Sequence, residues 1–258
     1  MRRLHVMIPS RSQPEQASFL KRAIQSVCVQ TARESVSIEV LIGLDPGARL
    51  PDIGVFDVPV RAANAAHGSQ AAALNATAAL LDADYVAILE DDDRWQPTHL
   101  ATSLRCLEHA GFVSGTQLEI DVAGRIVRIN DFPTPSGWVM SRDTWARVGE
   151  FNPEYRCHLD NEWLGRLGSS PIDRVHLAEA TSPADVAMAA RIRPWLANVV
   201  VYGGGRVRLL RHVSPVPLIV RLVHTGSGMH QIETEPARRQ ASQTEIRQLS
   251  ARFGRVPW

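Results

Sequence analysis

Three short apolar runs, Leu4 to Ile8 (LHVMI), Ile38 to Leu44 (IEVLIGL) and Tyr85 to Leu89 (YVAIL), each stop at turn-forming or acidic residues. Strands buried on both faces read as continuous apolar runs, and parallel pairing of such strands needs a crossover connection, usually a helix. The intervening sequence supplies those crossovers. Between Gln16 and Gln30, Phe19, Leu20, Ala23, Ile24 and Val27 recur near helical spacing, and Ala71 to Leu81 is rich in the good helix formers alanine and leucine. With a further short strand at Val58 to Val60, the order predicts an α/β fold with a largely parallel sheet. At 258 residues the chain can bury a core without a disulfide or metal staple.

The pattern changes after about residue 110. QLEIDVAGRIVRI, Gln117 to Ile129, alternates around an Ala-Gly turn and predicts a hairpin. Gly137 to Met140 reads as a strand, Arg142 to Val148 as a short helix, and Leu159 to Leu167 as a helix with Asp160 and Glu162 in its first turn, where carboxylates suit the dipole. Residues 183–198 are expected to form another helix. A helix over 243–253 in an otherwise loose polar tail is expected to end the chain. The resulting division is 1–110, 111–225 and 226–258, with the first two parts sharing one sheet.

No run reaches membrane-spanning length and no signal-peptide pattern opens the chain, so a cytoplasmic location is expected. Cys28, Cys106 and Cys157 are scattered and form no CxxC pair, which suits buried thiols. The charge is unevenly spread: residues 1–186 carry 17 basic and 24 acidic side chains, whereas 187–258 carry 11 arginines and three acids. The basic last third suits phosphate-bearing ligands, an anionic acceptor, a membrane surface met peripherally, or a second subunit. It lacks nucleic-acid motifs and interleaved aromatics, so no nucleic-acid partner is expected.

The stretch with the most chemistry is Glu90-Asp91-Asp92-Asp93, directly after the YVAIL strand. Four adjacent carboxylates repel one another, and a divalent cation offsets that repulsion most directly. Oxygen ligands favour Mg²⁺ or Mn²⁺, which bind through one or two carboxylates together with substrate phosphates. Ligand crevices in open parallel sheets lie beyond the carboxyl ends of strands, where this cluster falls.

In this setting the sequence resembles the inverting glycosyltransferases of family 2, which have the GT-A fold: a nucleotide-binding, Rossmann-like half and a mixed central sheet flanked by helices, here with a C-terminal extension. HVMIPSRSQPEQASFLKRAIQSVCVQT resembles the family's first strand and helix, ending in S-x-x-x-Q-T at Ser26 to Thr31. Ile38 to Gly47 resembles the second strand, Asn64 to Asn75 the following helix start, and YVAILEDDDRWQPTHL the segment bearing the DxD-type motif. GWVMSRDTWARVGEFNPEYRCHLDNEWLGRL resembles the acceptor-side block.

The resemblance implies a nucleoside diphosphate sugar donor, with UDP expected and dTDP or GDP as alternatives, and a hydroxyl-bearing acceptor such as a glycan, a lipid-linked glycan or a small molecule. It places the donor against Pro9, Ser10, Arg11, Asn75 and Asp91, with Asp45 accepting from the base. It assigns Asp92 as the metal ligand, Asp93 as a loop-shaping residue, and Asp160, six residues before Arg166, as the general base. Glu162 would orient the acceptor, and Trp163 or Trp138 would stack on a sugar ring. His224, in the Gly-Ser-rich VHTGSGMH loop, is the expected further metal ligand, with His230 a lesser candidate; Gly226 and Gly228 would let this loop close over the donor. Arg206, Arg208 and Arg211 are secondary phosphate candidates. Three positions depart from the pattern: Glu90 replaces the usual first aspartate, Leu74 stands where relatives have arginine, and Leu159 where they often have glutamate. The other readings are a nucleotidyltransferase, whose glycine-rich basic loop is missing here, and a non-catalytic sugar-nucleotide-binding module, which would not need Asp160.

Overall fold

The computed structural model describes residues 1–257 apart from 12, 14, 15, 180–198, 203–206, 215 and 216; for 178, 179, 199–202 and 207–214 it describes the backbone. The elements run β1 (Arg2–Ser10), α1 (Ala17–Cys28), β2 (Val36–Leu44), β3 (Val60–Asn64), α2 (Gln70–Ala78), β4 (Tyr85–Ile88), β5 (Arg94–Trp95), α3 (His99–Cys106), β6 (Phe112–Gly115), β7 (Gln117–Asp121), β8 (Ile126–Asn130) and β9 (Val139–Ser141). They continue with α4 (Arg142–Val148), α5 (Leu159–Gly168), β10 (Arg174–Glu179), β11 (Val199–Tyr202), β12 (Val207–Ser214), β13 (Ile219–Val223), α6 (Gly228–Thr234) and α7 (Pro236–Phe253).

The described strands form a mixed nine-stranded sheet in the order β11-β12-β10-β6-β9-β4-β1-β2-β3, and a four-stranded sheet in the order β5-β13-β7-β8. Strands β3, β2, β1 and β4 are parallel, whereas β9 runs antiparallel to both β4 and β6. The predicted parallel first half and hairpin are present, the latter as β7 and β8.

Both faces of the large sheet are covered, which is why its strands read as continuous apolar runs. Along β1, Leu4, Val6 and Ile8 face one core with Leu20, Ile24 and Val27 of α1, while Met7 joins the opposite core with Leu74, Trp138, Trp163 and Leu249. Ser69 caps α2 by accepting the Ala72 amide at 3.1 Å, and Ser141 caps α4 through Thr144 at 3.1 Å.

One expectation changes. The tail is an 18-residue helix from Pro236, with Leu249 fully buried and Ser242 and Glu245 also buried. Its polar composition hid this, because the buried contacts are made largely by polar side chains. The helix expected over 183–198 lies outside the described residues.

Candidate functional site

The parallel register aligns the strand ends that carry the sequence-predicted groups. Ser10 pairs with Leu44 across β1 and β2, and Met7 with Ile88 across β1 and β4. Pro9, Ser10 and Arg11 therefore lie between Asp45 and the Glu90–Asp93 turn, at the carboxyl edge where ligand crevices form. Asp45 is half-buried at the end of β2; its carbonyl accepts from Asn64 Nδ2 at 3.0 Å.

The four acidic residues have different surroundings. Asp93 is buried: its Oδ2 accepts from Ser136 Oγ at 2.6 Å and its Oδ1 from the Leu222 amide at 3.1 Å. Glu90 accepts from Gln70 Nε2 at 2.7 Å, and its amide donates to Ser136 Oγ at 3.0 Å. These two side chains hold the turn to its neighbours. Asp91 has a buried Oδ2 with no hydrogen-bond partner, and burial, reinforced by Asp92, pushes its carboxyl up to about 7 against the opposing Ser10 hydrogen bond. Burial also raises Asp93 well above the usual carboxylate range.

Asp92 and His224 meet, with His224 Nε2 2.9 Å from Asp92 Oδ2. The histidine follows β13, whose pairing with β5 and β7 carries it to the acidic turn. Its ring also packs against Phe19 of α1, centroids 5.2 Å apart. Among the described residues no three metal-ligating side chains surround one point. The Asp92–His224 pair, with the unpartnered oxygen of Asp91 nearby in sequence, is nonetheless a donor set that could hold a divalent cation such as Mn²⁺ or Mg²⁺.

Asp160, in the first turn of α5, is half-buried, and burial raises its carboxyl against the pull of the Asn161 amide. It is close enough to Glu90 to raise that carboxyl, and Arg221 lowers both. Asp160 thus shares its surroundings with the acidic turn. Burial alone would lower Arg221, but Glu90, Asp93, Asp92 and Glu119 outweigh it and hold the guanidinium above its ordinary range. Arg221 also lies 3.7 Å from Glu119. Neither Arg221 nor Ser136 was marked by the sequence, since each reaches the cluster only through the pairing of distant segments.

Four of the predicted side chains, Trp138, Trp163, Glu162 and Asn75, have partners within the fold. Trp138 and Trp163 are 0 % exposed and pack against each other, centroids 4.9 Å apart, with indole N–H groups bonded to Pro133 and Gly149 carbonyls. No ring face is left for a sugar. Glu162 is buried between Arg166 and Arg252, at 2.9 and 2.8 Å, so its carboxylate braces helices rather than meeting an acceptor. Asn75 uses both amide atoms on Phe151, donating to its carbonyl at 2.8 Å and accepting from its amide at 2.9 Å, which fixes the 149–152 turn instead of a donor. His230, the lesser metal-ligand candidate, lies on α6. Arg206 and the side chains of Arg208 and Arg211 lie outside the described residues.

No family model matches the sequence, and no curated protein does. Solved structures do match in fold. The mannosyltransferase PcManGT from Pyrobaculum calidifontis, in complex with GDP-Man and Mn²⁺, superposes with a TM-score of 0.57 at 12% identity over 97% of this chain and 64% of its own. S. aureus TarS 1-349 in complex with UDP gives 0.54 at 10% identity over 98% of this chain and 72% of that one. The same fragment with UDP-GlcNAc gives 0.55 at 10% identity, covering 98% and 73%. The two-sided mixed sheet, with its acidic turn at the carboxyl edge of β4, is the GT-A fold of glycosyltransferases.

Proposed function

We propose that this chain transfers a sugar from a nucleoside diphosphate sugar to a hydroxyl acceptor, by a single displacement that inverts the anomeric carbon. The observation that carries the reading is the 2.9 Å contact between Asp92 and His224, which are 132 positions apart and meet at the mouth of the parallel strands. The solved relatives in fold hold UDP, UDP-GlcNAc or GDP-Man, one of them with Mn²⁺, which supports a donor of this class.

In this reading the nucleotide lies along Pro9, Ser10 and Arg11, with Asp45 accepting from a ring N–H of the base. Asp92 and His224 hold the divalent cation, Mn²⁺ or Mg²⁺, with Asp91 beside them. A cation held there would supply positive charge to offset that developing on the departing nucleoside diphosphate. Asp160 accepts the acceptor hydroxyl proton as that oxygen bonds to the anomeric carbon and the carbon–phosphate-oxygen bond breaks. A carboxylate raised by burial is a stronger base at neutral pH, which suits the role.

The test is calorimetric titration with UDP, UDP-GlcNAc and GDP-mannose in the presence of Mn²⁺, paired with transfer assays. Asp92→Ala and His224→Ala are expected to weaken metal-dependent nucleotide binding by roughly tenfold or more. Asp160→Asn should bind the donor normally and lose about 10²-fold or more in turnover. Normal turnover by Asp160→Asn, or a wild type that binds no nucleotide, defeats the proposal.

A further inference from the structure

Glu245 of α7 is buried, and its carboxylate collects three consecutive main-chain donors from the segment before α5. The amide of Arg156 donates to Oε1 at 2.9 Å, and those of Cys157 and His158 donate to Oε2 at 3.0 and 2.8 Å. These N–H groups lead into α5, whose N-cap, His158, makes no side-chain capping bond. Helix starts commonly satisfy their orphan donors with a local serine, threonine or aspartate. Here an anion from a helix 87 to 89 positions away does so for the approach to the helix. Asp160 lies two residues beyond the last of the three amides.

The other contacts of the C-terminal segment point the same way. His158 Nε2 lies 2.8 Å from Ser242 Oγ, and Asn161 Nδ2 donates to the Pro257 carbonyl at 2.7 Å. Arg252 bonds Glu162 at 2.8 Å. His158, Asn161 and Glu162, on either side of Asp160, are thus tied to 242–257. The first turn of α5 is braced by α7 and the residues that follow it as well as by its own local contacts.

We infer that Glu245 is a positioning residue for Asp160, acting through the 156–158 amides; the inference rests on the reading of Asp160 as the base. The experiment compares Glu245→Ala and Glu245→Gln with Leu249→Ala, which removes a buried side chain from the same helix without touching those amides. All are assayed below their melting temperatures for kcat, donor affinity with Mn²⁺, and amide hydrogen exchange. Glu245→Ala should lower kcat about tenfold or more while donor affinity stays within about twofold, because misplacing a reacting group acts on the chemical step. Glu245→Gln, which keeps one acceptor oxygen, should fall between it and wild type. Exchange at 156–161 should accelerate about tenfold or more in Glu245→Ala, with β1 and β4 unchanged and with Leu249→Ala retaining wild-type protection there. Unchanged exchange at 156–161, or a kcat no lower than that of Leu249→Ala, overturns the inference. A wild type without transfer activity, combined with the expected exchange pattern, supports the anchoring by Glu245 and overturns the functional reading alone.

Discussion

His99 starts α3 with its ring against Trp95, centroids 4.7 Å apart, and neither ring nitrogen has a hydrogen-bond partner. Burial pushes this imidazole down to about 3, so it is neutral in the fold throughout the ordinary working range. The unfolded chain exposes the ring at its usual value near 6.5 and takes up a proton below it. Its contribution is therefore fully present above pH 6.5 and is lost as pH falls toward 3. At pH 5 the loss amounts to about 2 kcal/mol. Urea unfolding midpoints measured from pH 7 to pH 4 should fall less steeply for His99→Leu than for wild type; parallel acid limbs would show that His99 is not the group responsible. At this scale the legibility of the sequence divides by reach. Asp92 and His224 each sit in a loop next to an apolar strand, and the family resemblance supplied the roles expected of them. Trp138, Trp163, Glu162 and Asn75 carry the residue types of a binding site, yet all are taken up by the core, by arginine side chains or by main-chain partners. Burial depends on what packs from elsewhere, and no local pattern records that.

Among the elements, two glycines mark close approaches of unequal tolerance. A Cβ added at Gly43, near the end of β2, would lie 2.0 Å from the carbonyl oxygen of Ala73 in α2. Both partners are backbone, so strand and helix must separate. A Cβ at Gly165 of α5 would lie 2.6 Å from the Phe253 ring, the far end of a side chain on α7 that is only partly buried. Gly43→Ala is expected to cost about 3 kcal/mol or more and Gly165→Ala about 1 kcal/mol or less, by the ordinary range for overpacking. Chemical denaturation of both variants measures the difference; equal losses would mean that β2 and α2 yield more easily than their contact implies. The strands β1, β2 and β4 were legible because burial on both faces demands unbroken apolar runs. The C-terminal helix was only half legible. Its interior face is held by Ser242 and Glu245 as well as Leu249, and a polar interface leaves little apolar periodicity to read.

For the whole molecule, the proposed donor would join parts of the chain that are otherwise linked only through the protein's own packing: the ends of β1 and β2, the turn after β4, and the loop after β13. The separate sheets meet there because β13 pairs with β5, the short strand that directly follows the acidic turn. A ligand bound across these segments stabilises the folded state by its occupancy, and a concentration of 100 times Kd contributes about 2.7 kcal/mol. For a chain of this size that corresponds to a rise in Tm of about 5 to 10 °C. Saturating UDP-sugar or GDP-sugar together with Mn²⁺ should produce such a rise, and either component alone should produce much less, because in the proposed reading the cation would need the diphosphate to complete its coordination. Asp92→Ala should remove the joint effect while leaving the ligand-free Tm close to that of wild type, since Asp92 is 22 % exposed and its partner in the structure is the partly exposed His224. A wild-type shift that persists undiminished in Asp92→Ala would place the nucleotide away from the acidic turn. Loss of the shift from His224→Ala as well would tie the loop after β13 to the same binding event, as a donor spanning both sheets requires.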